Sequence, residues 1–244
     1  MNISIIGAGN IGATLAMKLT ASGHNVKLAN SRGPETIAGI ASKAGATAVT
    51  REEAVRNADV IILSVPFSAS SDLAALLNVV PDNVTVIDTS NYYPFRDGSI
   101  AEIEHGMSES RWVSKQINRP LIKAWNAVLA ATLSDKGLAA NGADRIAIPV
   151  AGDDEQAKQI AMRLVSETGF EAVDAGPLDE SWRQQPGTPA YCTELNAAEL
   201  KTALLAADKK RAPLNRDALL KEFMATSELP SREHIVARNR AVTA

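Results

Sequence analysis

The residues with the clearest chemical capacity are glycines. Gly7-Ala8-Gly9-Asn10-Ile11-Gly12 has the spacing G-x-G-x-x-G, set between the run Ile3-Ser4-Ile5-Ile6 and a helical stretch reaching about Ser22. In such a turn the first glycine permits the tight reversal and the second lets backbone approach a pyrophosphate. The third lets helix and strand pack closely. The helix start then offers free N–H groups and the positive end of its dipole to phosphate. Glycine triplets alone are a weak signal. Here a strand precedes, a helix follows, and a second strand is due at Asn25 to Ala29, the context of a dinucleotide-binding βαβ unit.

Which dinucleotide is read about 20 residues further on, where an NAD-preferring unit carries Asp or Glu for the ribose 2′-hydroxyl. Asn30-Ser31-Arg32 stands there, with no acid beside it. A carboxylate would repel a 2′-phosphate, whereas Arg32 would pair with it through charge-assisted hydrogen bonds and Ser31 would add a hydroxyl. NADP(H) is therefore expected over NAD(H). The alternative for Arg32 is a solvated arginine beside a turn.

Ligands in a doubly wound sheet bind beyond the carboxyl ends of the strands. Ser64-Val65-Pro66-Phe67 would lie along the cofactor, with Ser64, Val65 and Pro66 on it and Phe67 toward substrate. Asp88-Thr89-Ser90-Asn91, Trp125-Asn126 and Val150-Ala151-Gly152-Asp153 end later strands. Trp125 and Asn126 are substrate candidates, although large aromatics such as Phe67 and Trp125 equally serve as core. Lys123 is the one ionisable side chain placed for catalysis; a structural ion pair or a lysine reaching solvent is its alternative. His24, His105 and His234 are scattered, Cys192 lacks an activating partner, and no His/Cys/Asp/Glu cluster has metal-ligand spacing. A cofactor without an acid–base pair suits direct hydride exchange with a flavin-like ring, which needs stacking and orientation. A carbonyl, imine or alcohol partner would need a positioned proton donor.

The elements that must hold these residues alternate. Further β-type runs are Ala46–Val49, Asp59–Val65, Val84–Asp88, Leu121–Trp125, Arg145–Val150 and Glu171–Asp174, with helical stretches between. Pro34 opens one helix, Thr50 and Glu53 have capping-box spacing, and so do Asp153 and Gln156. Gly142 is among the turn points. This predicts an α/β fold, a doubly wound, mainly parallel Rossmann sheet of about seven or eight strands. After Pro177 the pattern changes: 182–189 reads as a loop, followed by helices over Leu195–Lys210, Asn215–Thr226 and Arg232–Val242. The expected division is a cofactor-binding domain over 1–177 and a helical extension over 178–244. Arg183 among glutamines suits an anionic group, and the apolar face of Leu195–Ala207 could bury a homodimer contact.

Composition narrows the classes. Hydrophobic residues make up 45% of the 244 and aromatics only 4%, so the core is built of aliphatics and alanine. One cysteine excludes an internal disulfide. Net charge is −3 with both signs interspersed, no footprint for nucleic acid. The chain runs from Met1 into a strand with no basic leader and no membrane-length apolar run, so a cytoplasmic protein acting on a small-molecule redox acceptor is expected.

Taken together, Gly7–Gly12, Asn30–Glu35, Ile62–Pro66 and Lys123–Asn126, extended by Val150–Asp154 and Asp174–Leu178, resemble the NADP-dependent coenzyme F-420 oxidoreductase family over roughly residues 1–180. The resemblance implies a Rossmann domain that stacks NADP(H) against a deazaflavin or flavin and passes hydride directly. It implies that Gly9, Asn10 and Ile11 hold the pyrophosphate, Ser31 and Arg32 the 2′-phosphate, and Ser64 to Phe67 line the nicotinamide. The chain past Pro177 marks a subgroup, which could use FMN, FAD or a ferric chelate. Two other functions compete: a dehydrogenase of a small hydroxy acid or an imine, and a sensor that binds NADP(H) without turnover.

Overall fold

The computed structural model describes residues 1–139, 144–225 and 230–244; the predicted turn point Gly142 and helix end Thr226 lie outside the described residues. The first half is β1 (Asn2–Ile6), α1 (Asn10–Ala21), β2 (Asn25–Ala29), α2 (Ala38–Ala44), β3 (Thr47–Ala48), α3 (Arg51–Ala54), β4 (Val60–Leu63), α4 (Ala74–Leu77) and β5 (Thr85–Asp88). The short helices α5 (Pro94–Asp97) and α6 (Ala101–Glu104) lead to α7 (Glu109–Ile117), then β6 (Ile122–Lys123) and α8 (Ala130–Asp135). Beyond them come β7 (Ala147–Val150), α9 (Glu155–Glu167), β8 (Glu171–Asp174), α10 (Ala197–Ala206), α11 (Arg211–Met224) and α12 (Arg232–Thr243).

Six strands form one sheet in the order β3-β2-β1-β4-β5-β6, parallel at every pairing. Alternation along each strand supplies both faces. Ile3, Ile5, Val60, Ile62 and Ile87 join α1, α8 and α9 in one core, while Ile6, Ile61, Leu63 and Val86 join α4 and α7 in the other. A strand buried on both sides reads as a continuous apolar run, which is why VIIL in β4 has no polar member. Ser4 is the exception in β1: buried, it donates its hydroxyl to the Ala54 carbonyl. The doubly wound prediction holds.

The strand count differs from expectation. β7 and β8 pair with each other, in parallel, and touch the main sheet only through one antiparallel bridge between Lys123 and Ala151. β6 is too short to carry a further ladder. Pro120 lacks an N–H before it, and Trp125 turns the chain after it with φ of 57°.

The local capping and turn signals are realised only in part. Thr50 and Glu53 make the predicted capping box, the Glu53 carboxylate accepting from Thr50 N at 3.0 Å. At the start of α9, however, Asp154 is the cap, accepting from Ala157 N at 2.8 Å. Asp153 is drawn away to Arg111, 2.8 Å distant, and accepts from Leu178 N. The segment 178–184 is a 3-10 helix rather than loop throughout, and α11 begins at Arg211 rather than Asn215. Leu200, Ala203 and Leu204 of α10 pack on Ala147 and Val173, so the face expected at a dimer contact is used within the chain. α12 is tied back by Arg232 to Glu194, and by Arg240 donating to the Thr193 and Glu194 carbonyls. Among the described residues no helix is long and apolar enough to cross a membrane.

Candidate active site

The glycine turn joins three strand ends. Gly7 N donates to the Ala29 carbonyl and Ser64 N to that of Ile6, each at 2.8 Å, so the tips of β1, β2 and β4 are fixed together. The three glycines do different work. Gly7 has φ of +115°, and a Cβ there would sit 2.0 Å from the Ser64 oxygen; a Cβ on Gly12 would sit 1.9 Å from the Gly7 oxygen. Both are demanded by close packing. A Cβ on Gly9 would meet nothing within 4 Å. Gly9 therefore stands at the open edge, at the N-cap of α1, where no side chain caps the helix. The first N–H groups of α1 have no intrahelical partner. Ala8 and Ile11 flank this cradle half-buried, and Asn10 is exposed. That is what a pyrophosphate requires.

At the tip of β2, Asn30 Oδ1 accepts from Arg32 N at 3.1 Å and Asn30 Nδ2 donates to Thr36 Oγ1 at 2.8 Å. This Asx turn presents Ser31 and Arg32 to solvent. Among the described residues the Arg32 guanidinium enters no ion pair, whereas most arginines of the chain do. An uncommitted cation on this strand end fits a 2′-phosphate. Ser64 and Val65 are half-buried and Pro66 exposed beyond β4, on the same edge as the glycine turn.

The sequence-predicted substrate residues sort differently. Phe67 is fully buried, stacked on Trp112 at 5.0 Å and packed on Tyr92. Trp125, 1% exposed, lies in the opposite core with Nε1 donating to Thr168 Oγ1 at 3.3 Å. For both, the core alternative is the one realised: Phe67 lies in one core with Tyr92 and Trp112, and Trp125 in the other. Asn126 is buried and spent as a joint. Its Nδ2 donates to Asn91 Oδ1 and the Gln184 carbonyl, and its Oδ1 accepts from Gln184 Nε2. It ties the ends of β5 and β6 to the extension rather than facing a substrate.

Lys123 carries its ion-pair alternative. Nζ donates to Asp88 Oδ2 at 2.9 Å and to the Ser90 carbonyl, with both side chains sealed from solvent. Asp88 also accepts from Ser90 N and Oγ and from Ser110 Oγ, so its lone pairs are used. Held by these contacts, the Lys123 side chain joins the ends of β6 and β5.

Beside the pair sits a group that sequence reasoning missed. Glu109, 2% exposed, opens α7, and among the described residues its Oε2 has no hydrogen-bond partner. Burial pushes its carboxyl up to about 7, against the pull of Lys123 and of the Tyr92 N–H. Ser108-Glu109-Ser110 reads in sequence as an ordinary acidic first turn; only the overlying residues 178–186 and α11 bury it. Tyr93 and Tyr191 were likewise unremarkable in sequence, yet their hydroxyls lie 2.7 Å apart between the sheet edge and the extension. Cys192 is buried, its thiol pushed up to about 12 by desolvation, and is inert as read.

The sequence pattern of the family described as NADP oxidoreductase, coenzyme F420-dependent, matches residues 2–92, which span β1 to just past β5. YjhV of Escherichia coli (strain K12) is 41% identical over 98 residues, 40% of this chain and 72% of that protein. The crystal structure of hypothetical protein SMa0349 from Sinorhizobium meliloti superposes with a TM-score of 0.67 at 30% identity, covering 78% of this chain and 93% of that one. A structure from Arthrobacter sp. FB24, described as an F420-dependent NADP reductase, superposes with a TM-score of 0.60 at 19% identity, over 92% of this chain and 94% of that one, a likeness of fold. The chain belongs to the family of NADP oxidoreductases described as coenzyme F420-dependent, and is an NADP-dependent oxidoreductase.

Proposed function

We propose that this chain binds NADPH along the tips of β2, β1 and β4 and passes hydride directly to a flavin-like or deazaflavin ring stacked on the nicotinamide. The observation that carries the cofactor half is the pairing of the uncapped, open Gly9 end of α1 with the uncommitted Arg32. In this reading Gly7 to Gly12 hold the pyrophosphate, Asn30 orients the turn, Ser31 and Arg32 bind the 2′-phosphate, and Ser64 to Pro66 line the nicotinamide.

The acceptor half is supported by what the strand ends offer. Serines, Thr89 and amides line them, and the one lysine is neutralised by Asp88. Such a surface can orient a ring and exclude water, which is most of what direct hydride exchange needs. The helical extension over 178–244 would then select the acceptor and the domain over 1–177 the cofactor. We place the protein in the cytoplasm, with a homodimer and a small-molecule acceptor as its partners.

Glu109 favours a second reading. An acid held near neutrality beside Asp88 and Lys123 has the poise of a proton donor, so reduction of a small hydroxy-acid precursor or an imine competes. Loss of absorbance at 340 nm, the reduced nicotinamide band, separates them. FMN, FAD, riboflavin and a deazaflavin should support turnover with NADPH far better than with NADH. Turnover only with 2-oxo acids or cyclic imines would replace the first reading by the second.

A further inference from the structure

The extension closes over two adjoining cavities that the cofactor residues do not enter. The first, ≈ 100 Å³, is lined by Tyr92, Glu109, Trp182, Gln185 and Lys209. The second, ≈ 180 Å³, is lined by Leu129, Leu219, Leu220, Phe223 and Ile235, with Tyr93 and Tyr191 at its wall. Pro186 and Arg216 line both.

Sequence makes this seat possible at Gly187. Its φ is +85°, and a Cβ would lie 2.0 Å from the Ala212 oxygen and 2.7 Å from Arg216 N. Glycine thus lets the segment after Gln184 lie directly on α11, where Asn215 Nδ2 donates to the Gly187 carbonyl at 3.1 Å. That contact sets Arg216 between the cavities. It is 8% exposed, its guanidinium 5.8 Å from the Tyr92 ring centre, and Asp217 accepts from its Nε at 2.7 Å.

Two buried polar atoms of the first cavity's lining lack partners among the described residues: Glu109 Oε2 and Gln185 Nε2. Buried polar atoms are nearly always hydrogen-bonded, so two orphans lining one cavity mark where a ligand's polar end belongs. The cavity is rich in donors. Gln185 Nε2, Lys209 and the terminal nitrogens of Arg216 can only donate, and Glu109 donates when protonated. Glu104, the other acid in the lining, already accepts from Tyr92 Oη at 2.9 Å. Arg183, the cation singled out in sequence, is not part of it. It is held by Glu180 and the Leu204 carbonyl and stacks on Trp182. A ligand here must bring acceptors to the first cavity and apolar surface to the second, whose volume takes about six water-sized groups.

We propose that the two cavities form one binding site for an apolar monocarboxylic acid, its carboxylate between Arg216 and Gln185 and its body among Leu219, Leu220 and Ile235. The anion is accepted when Glu109 is protonated. The charged groups facing Glu109 are Lys123 from β6, Asp88 from β5 and Arg216 from α11, with Glu104 and Lys209 on the cavity wall. With a carboxyl near 7, affinity for an ionised acid falls about tenfold between pH 6 and pH 8.

Calorimetric titration of the intact chain with hexanoate and phenylacetate tests this, with hexylamine and hexanol as counter-probes. The acids should bind at least tenfold tighter than the amine and the alcohol. Glu109→Gln should keep acid binding and abolish its fall with pH. Gln185→Leu and Arg216→Gln should each weaken the acids at least fivefold, circular dichroism reporting whether the variant has folded. Because Arg216 is buried, the half-exposed Gln185 keeps the test valid if Arg216→Gln unfolds. Binding of neither acid to the folded chain, equal binding of hexylamine, or indifference to Gln185→Leu would overturn the proposal. Every arm reads binding without hydride transfer, so this result and that of the acceptor assay are separable.

Discussion

Lys123 Nζ stands 2.9 Å from Asp88 Oδ2 at the adjacent ends of β6 and β5, with the two side chains 0% and 1% exposed. A charge pair so placed contributes less to net stability than its geometry implies, because both ions gave up their hydration; removing one partner is what costs.

Lys123→Met should therefore lower stability by about 3–5 kcal/mol, since the Asp88 carboxylate is left buried and unpaired. Adding Asp88→Asn should recover part of that loss. Urea unfolding of the two variants measures both effects, and a single-variant loss below about 1 kcal/mol would mean the pair is solvated.

Arg32→Ala should lose roughly 1.5–3 kcal/mol of NADPH binding, the range for hydrogen bonds to charged groups, or about 10- to 150-fold in Kd. NADH affinity should stay unchanged, because the ribose 2′-hydroxyl has no charge to lose. Fluorescence titration with each cofactor decides. Equal losses for both would place Arg32 on the pyrophosphate instead.

The glycines of the turn should separate stability from binding. Gly12→Ala drives a Cβ into the Gly7 carbonyl and should cost about 1–3 kcal/mol, the cost of overpacking. Gly9→Ala points into open space, so it should keep stability within about 1 kcal/mol while weakening NADPH. Parallel melts and cofactor titrations compare them; the reverse ranking would refute the assignment of packing to Gly12 and access to Gly9.

Glu109 imposes a pH dependence of definite sign. Burial raises its folded carboxyl from the ordinary 4.5 to about 7, so the folded chain binds the proton more tightly than the unfolded chain. Its contribution is fully present below pH 4.5 and is lost as pH rises through 7, amounting to on the order of 3 kcal/mol. Urea midpoints of wild type and Glu109→Gln, whose amide mimics the protonated acid, should run parallel below about pH 4.5 and above about pH 8, the wild type losing stability relative to the variant in between. Parallel behaviour across the whole range would show that folding leaves the proton affinity of Glu109 unshifted.

The cofactor side was legible because it is local. The roles of Gly7, Gly9 and Gly12 follow from spacing within one strand–turn–helix unit, and Arg32 sits at a fixed distance along the chain from them. Apolar and β-branched runs likewise located the eight strands of the described residues, because burial on both faces of β4, β5 and β7 is written into consecutive residues. Chain-local chemistry needs no partner from elsewhere.

Only the tertiary structure decided the rest. Six strands rather than eight share the sheet because Pro120 and the reversed backbone at Trp125 cut β6 short, an outcome that depends on where β7 then lands. Lys123 became a structural cation because Asp88 lies 35 residues away in sequence and one strand away in space. Glu109, Gln185 and Arg216 carry no motif, and their surroundings come from separate segments brought together by the close contact at Gly187. Burial and charge pairing between distant segments are properties of packing. They set the raised carboxyl of Glu109 and the pairing of Lys123 with Asp88, and no spacing rule along the chain contains them.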